Sequence, residues 1–99
     1  MDQTSCPTTF IRISLADAEA QFPSAVDDDI RELDTENAGS PGYHTLGVRD
    51  GNLYSMTYEV GWCGWAIWTG TEWSDLSDVD QELYDLLEDA GDTVKHAFI

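Results

Sequence analysis

The dipeptide Asp50-Gly51 constrains the fold more than any other feature of the chain, because stretches of strand character lie on both sides of it. Glycine accepts positive φ at low cost, so Asp-Gly between such stretches predicts a tight antiparallel reversal. Tyr43–Arg49 is the predicted first strand of this hairpin and Leu53–Val60 the second. The second strand alternates, with Tyr54, Met56, Tyr58 and Val60 on one face and Ser55, Thr57 and Glu59 on the other. Gly61 interrupts that run. Trp62–Trp68 (WCGWAIW) is the most apolar stretch and is predicted to be central or covered on both faces. Thr69-Gly70-Thr71 reads as a turn, after which Trp73 either opens a short fourth strand or packs down. Upstream, Thr8–Ile13 is rich in β-branched and aromatic residues and predicts another short strand.

Three Ser-x-x-Asp patterns mark helix starts, at Ser14/Asp17, Ser24/Asp27 and Ser77/Asp80. In each, the serine oxygen can accept an otherwise unpaired backbone N–H, and the acid suits the positive end of the helix dipole. The first helix carries Leu15, Ala18 and Phe22 on one side and stops at Pro23. The second buries Val26, Ile30 and Leu33, turns Asp28 and Glu32 outward, and carries Asp27, Asp29, Asp34 and Glu36 on its flanks. Asn37–Gly42 is a loop by composition. The third, Ser77–Ala90, has an apolar face of Val79, Leu83, Leu86, Leu87 and Ala90, and Gly91 is placed to end it. Val94–Ile99 forms a tail that can add an edge strand. The expected architecture is α+β: a three- or four-stranded antiparallel meander with about three helices packed on one face. The chain of 99 residues makes one compact domain, with Met1–Pro7 a loose lead-in. The Trp and Tyr residues are expected in the core, though a tryptophan near Gly61–Gly64 could instead anchor a partner.

Charge narrows the function. Twenty acids face four bases, for a formal charge of −16. Such a surface repels nucleic acid and anionic lipid and attracts basic proteins. Residues 24–41 hold six acids and one arginine, and residues 71–92 hold nine acids and no base, whereas residues 42–70 hold only two acids. In the third helix Asp78, Glu82, Asp85 and Asp89 make a row, its members separated by roughly 4.5–6 Å along the axis at ~1.5 Å of rise per residue. A DNA strand rises ~3.4 Å per phosphate, and its sideways step lengthens the gap to a comparable value. Carboxylates at that pitch can imitate a phosphate backbone. The nominated contact acids are Asp28, Asp29, Glu32, Glu36, Asp75, Asp78, Glu82, Asp85 and Asp89. Salt adaptation is the main competing cause of the acidity. It would coat strands as well as helices, and the strand segment is poor in acid.

No catalytic constellation is expected. His44 and His96 are far apart with no nucleophile evidently aligned between a base and an orienting acid, and the capping serines are not placed as nucleophiles. No phosphate loop or dinucleotide fingerprint is present. Asp75, Asp78, Asp80 and Glu82 lack the spacing of a calcium loop, and Cys6 and Cys63 lack paired-ligand spacing, so no metal, cofactor or disulfide is expected. No apolar run approaches the ~20 residues that cross a bilayer. MDQTSCPTTF has no basic region or long apolar stretch, so no secretory leader is predicted and cytoplasmic placement is the expectation.

In build and charge pattern the chain resembles phage-encoded DNA-mimic inhibitors, the small anti-CRISPR proteins most of all. FIRISLADAEAQFPSAVDDDIREL and GWAIWTGTEWSDLSDVDQELYDLLEDA carry the resemblance, together about half the chain. The inhibitors of type I-F surveillance complexes are the nearest in character. The resemblance implies a protein that occupies the positively charged groove admitting target duplex DNA, in the host-cell cytoplasm, without binding nucleic acid itself. The nominated acids come from the helix faces, not from the family. A basic DNA-binding protein or ribonucleoprotein is therefore the expected partner, and a charged monomer the expected state. The alternatives are an antitoxin-like acidic adaptor that masks a basic protein without mimicking DNA, and a salt-adapted protein with no acidic partner site.

Overall fold

A computed structural model describes residues 8–36, 43–59 and 62–98. The lead-in, the Asn37–Gly42 loop, Val60 and Gly61 lie outside the described residues, as do the side chains of Leu33, Glu36, Trp62, Cys63 and His96. The chain forms an α+β domain around a five-stranded antiparallel meander in the order β1-β2-β3-β4-β5. The strands are β1 (Ile11–Ile13), β2 (Tyr43–Arg49), β3 (Asn52–Glu59), β4 (Trp62–Trp68) and β5 (Trp73–Asp75). The helices are α1 (Leu15–Gln21), α2 (Asp28–Glu36), α3 (Leu76–Val79) and α4 (Gln81–Asp89), followed by a 3₁₀ helix, Gly91–His96. The edge strand Ile11–Ile13 falls within the expected Thr8–Ile13, and Trp73 does open a further strand, so the sheet has five strands rather than three or four. Both edges are three residues long, too short to offer much free backbone to another chain.

The Asp50-Gly51 turn fixes the central register, pairing Arg49 with Asn52 and, at the far end, Tyr43 with Tyr58. Asp50 and Gly51 both have positive φ, 54° and 81°, as a two-residue loop matched to strand twist requires.

Helices cover both faces of the sheet, which corrects the expectation of one covered face. On one face Tyr54, Met56, Trp65 and Ile67 pack with Leu76, Leu83, Leu87 and Val94 from α3, α4 and the 3₁₀ helix. On the other, Leu46 and Leu53 pack with Ala18, Ala25, Val26 and Ile30 from the α1 and α2 region. Leu53, Tyr54, Ser55 and Met56 are consecutive in β3 and all buried, as a strand covered on both sides demands. The alternation in β3 holds over Leu53–Thr57, but its second face turns toward α2 rather than water; the side chains of Tyr58 and Glu59 lie outside the described residues, as Val60 does.

An aromatic stack seals the first face. Phe98 lies on Phe10 with ring centroids 5.0 Å apart and on Trp65 at 6.0 Å. Tyr54 meets Phe10 edge-on. Gly47 is what lets these rings reach the sheet, since a Cβ built there would fall 2.6 Å from Phe98 Cδ2. The tail joins the fold through a single parallel bridge between Phe10 and Phe98, and the Phe10 N–H donates to the Ala97 carbonyl at 2.8 Å.

Candidate functional site

The acidic carboxyl-terminal segment is two helices, not one. Asp80 sits between them with φ −144° and ψ 82°, outside helical space. Its N–H donates to the Leu76 carbonyl and closes α3, while its carboxylate accepts the Leu83 N–H at 3.1 Å and caps α4. Ser77, expected to be the cap, lies inside α3. The same exchange occurs at α2, where Asp27 Oδ1 accepts the Ile30 N–H at 2.9 Å and Ser24 lies in the preceding turn. Only at α1 does the serine cap, Ser14 Oγ accepting the Asp17 N–H. A carboxylate is the stronger acceptor at a helix start, so where Ser and Asp are three apart either can take the position.

The break at Asp80 reshapes the acidic row. Asp78 now belongs to α3, while Glu82, Asp85 and Asp89 remain in line on α4. Leu83 and Leu87 are buried as expected, but Val79 is 50% exposed and Leu86 46% exposed, correcting two members of the apolar face. Leu86 sits with Glu82, Asp85 and Asp89 around one shallow depression. No Lys or Arg lies in α3 or α4. The ion pairs Arg31–Glu19 and Arg49–Asp50 do not involve this row. Gln81 donates to Asp85 at 2.9 Å, which holds one carboxylate in place.

Asp28, Asp29, Glu32, Asp75, Asp78, Glu82, Asp85 and Asp89 are all exposed. Glu36 is in the last turn of α2, its side chain outside the described residues. The structure does not gather them into one row. α2 packs on one face of the sheet and α4 on the other.

A second feature escaped the sequence reading. Asp27, Asp29 and Ile30 of the α2 region overhang a cleft of about 330 Å³ whose other walls are Ser55, Thr57, Gly64, Trp65, Ala66, Trp73 and Asp75. Here Asp29 and Asp75, from the two acidic segments, face one space. Trp73 fixes the cleft's end, because its Nε1–H donates to the Ala25 carbonyl at 2.8 Å and ties β5 to the α1–α2 junction. Ser55, which lines the cleft, shares through its Oγ a 2.6 Å hydrogen bond with His44 Nε2. The two-residue turn already encodes that contact: it sets His44 opposite Thr57, and Ser55 is the diagonal neighbour on the same face. A Ser–His contact is half of a nucleophilic site, but the surrounding carboxylates oppose the oxyanion that acyl transfer develops. The cleft's charge favours a cation instead.

Among the described residues no three His, Cys, Asp or Glu side chains converge as a metal site requires. Nor, among them, is any helix long and apolar enough to cross a membrane. No protein-family model matches the chain, and neither a curated protein nor a solved structure matches it.

Proposed function

We propose that this protein is an acidic inhibitor that occupies the positively charged nucleic-acid groove of a partner and keeps target double-stranded DNA out. The favoured partner is a type I-F CRISPR surveillance complex, in keeping with the family resemblance, and the setting is the cytoplasm of a phage-infected cell. The observation that carries the reading is the α4 face: Glu82, Asp85 and Asp89, exposed and without a neighbouring cation in the helix, ring a half-exposed Leu86. The carboxylates supply charge complementarity to phosphate-binding Lys and Arg. Leu86 supplies an apolar contact, which matters because bare charge does not choose among basic proteins. The protein acts as a monomer and has no affinity for nucleic acid of its own, since its charge repels phosphate.

The test is displacement of labelled target duplex from a purified type I-F complex, followed by gel shift. Wild-type protein should abolish the shifted band near stoichiometry. Glu82→Lys/Asp85→Lys/Asp89→Lys should leave it intact, with thermal melts confirming that the triple variant folds. A band that wild-type protein leaves undisturbed removes this function.

The adaptor reading, an acidic module that masks a basic protein without imitating DNA, is favoured by one observation. The break at Asp80 shortens the carboxylate row, and α2 presents its acids on the opposite face of the sheet. Co-migration of the protein with a complex that still holds its DNA would support the adaptor over the mimic.

A further inference from the structure

The cleft beneath α2 is selective in its chemistry. Much of its lining is small or apolar, with Ile30, Gly64, Ala66 and Trp73, while exposed Asp27, Asp29 and Asp75 stand at its mouth. Asp29 is exposed in the first turn of α2, and the other two acids keep acceptor capacity. Asp75 occupies the N-cap position of α3, yet its side chain makes no capping hydrogen bond. Asp27 commits Oδ1 to the Ile30 N–H, which leaves its second oxygen. Neither the Arg31–Glu19 pair nor the Arg49–Asp50 pair involves these acids. The three acids do not converge tightly enough to hold one metal ion. A larger, flatter cation suits that spread. At about 330 Å³ the cleft is at the small end of the ~300–1,000 Å³ typical of ligand sites, enough for one extended side chain.

We propose that this cleft receives an arginine side chain of a basic protein partner. The aliphatic stem lies along Ala66 and Ile30, and the guanidinium lies between Asp29 and Asp75 beside the indole of Trp73. Arginine fits better than lysine on three counts. Its planar fork can donate to two carboxylates at once, its charge is weakly hydrated, and it stacks on aromatic rings. The proposal rests on the partner being a basic protein, but the cleft's preference belongs to this chain and is measurable without that partner.

The test is an NMR titration of the isotope-labelled protein with N-acetyl-arginine methylamide near physiological salt, with the lysine and norleucine analogues in parallel. Saturable shifts are expected at the Trp73 indole N–H and the Ser55 and Ala66 amides, with binding about 10-fold weaker for the lysine probe. Asp29→Asn/Asp75→Asn should abolish them, and Glu82→Gln/Asp89→Gln should not. Shifts spread evenly over both acidic segments, persistence in the Asp29/Asp75 variant, or equal response to norleucine would overturn the assignment. The two proposals fail separately. Arginine binding in the cleft with no displacement of target DNA removes the inhibitor reading alone, and the reverse pattern removes the cleft site alone.

Discussion

The two faces of the sheet solve the same problem differently. On the face toward α4, large side chains from four directions close the space: Phe10, Tyr54, Trp65 and Phe98 stack, and Leu76, Leu83 and Leu87 fill the remainder. On the face toward α2 the buried set is smaller, Ala18, Ala25, Val26, Ile30, Leu46 and Leu53. That smaller set leaves the cleft over Ser55 and Ala66. Acids follow this difference. Over the sealed face they stand on the outside of a helix, around the shallow depression at Leu86. Over the thinner face they stand at the mouth of a space. Acidic segments thus rim an exposed leucine on the surface of one helix on one side, and on the other a cleft walled by strands and Trp73.

Unfolding experiments can break this contrast. Phe98→Ala removes a ring that touches both Phe10 and Trp65 and should cost about 3–5 kcal/mol, measured by urea denaturation. Ile30→Ala, on the thinner face, should cost less, near the ~2 kcal/mol low end for such a truncation, because the cleft already borders it. A larger loss at Ile30 than at Phe98 would invert the ranking of the faces. The caps come next. Asp80→Ala and Asp27→Ala should each lower stability by ~1 kcal/mol, while Ser77→Ala and Ser24→Ala should change it little. The smallest effect belongs to Leu86→Gln, expected within ~0.5 kcal/mol in the same assay, since the side chain is already half in water. The same substitution should weaken displacement of DNA from the surveillance complex, separating contact from stability.

The hairpin was legible because a two-residue turn fixes its register, and Ala18, Val26 and Ile30 are buried as their spacing leads one to expect, the Leu33 side chain lying outside the described residues. The Ser-x-x-Asp pattern was ambiguous for a chemical reason: it offers two acceptors three residues apart. Choosing the serine at Ser77 merged α3 with α4 and wrongly buried Val79 and Leu86. Ser55 misled in another way. A hydroxyl on an alternating strand reads as facing water, yet here it is 5% exposed and satisfied by His44. That misreading also affected the argument about salt. The strand segment is poor in acid because both of its faces are covered, so its composition does not separate salt adaptation from partner binding. A thermal melt in dilute buffer does: a cooperative transition with an intact fold at low salt is expected, and unfolding there would favour salt adaptation. The cleft was illegible because it joins Asp29 to Asp75 through tertiary packing, with the Trp73–Ala25 bond as the tie.

The bridge between Phe10 and Phe98 also sets an order of events during synthesis. Phe10 is synthesised well before Phe98. Until it arrives, the hairpin can form from its local turn, but Phe10 and Trp65 lack the ring that stacks on both. Between the synthesis of Trp65 and that of Phe98 the nascent chain therefore carries an open aromatic surface. Its dense negative charge, wherever else it serves, keeps such chains apart on a crowded polysome until the last aromatic docks.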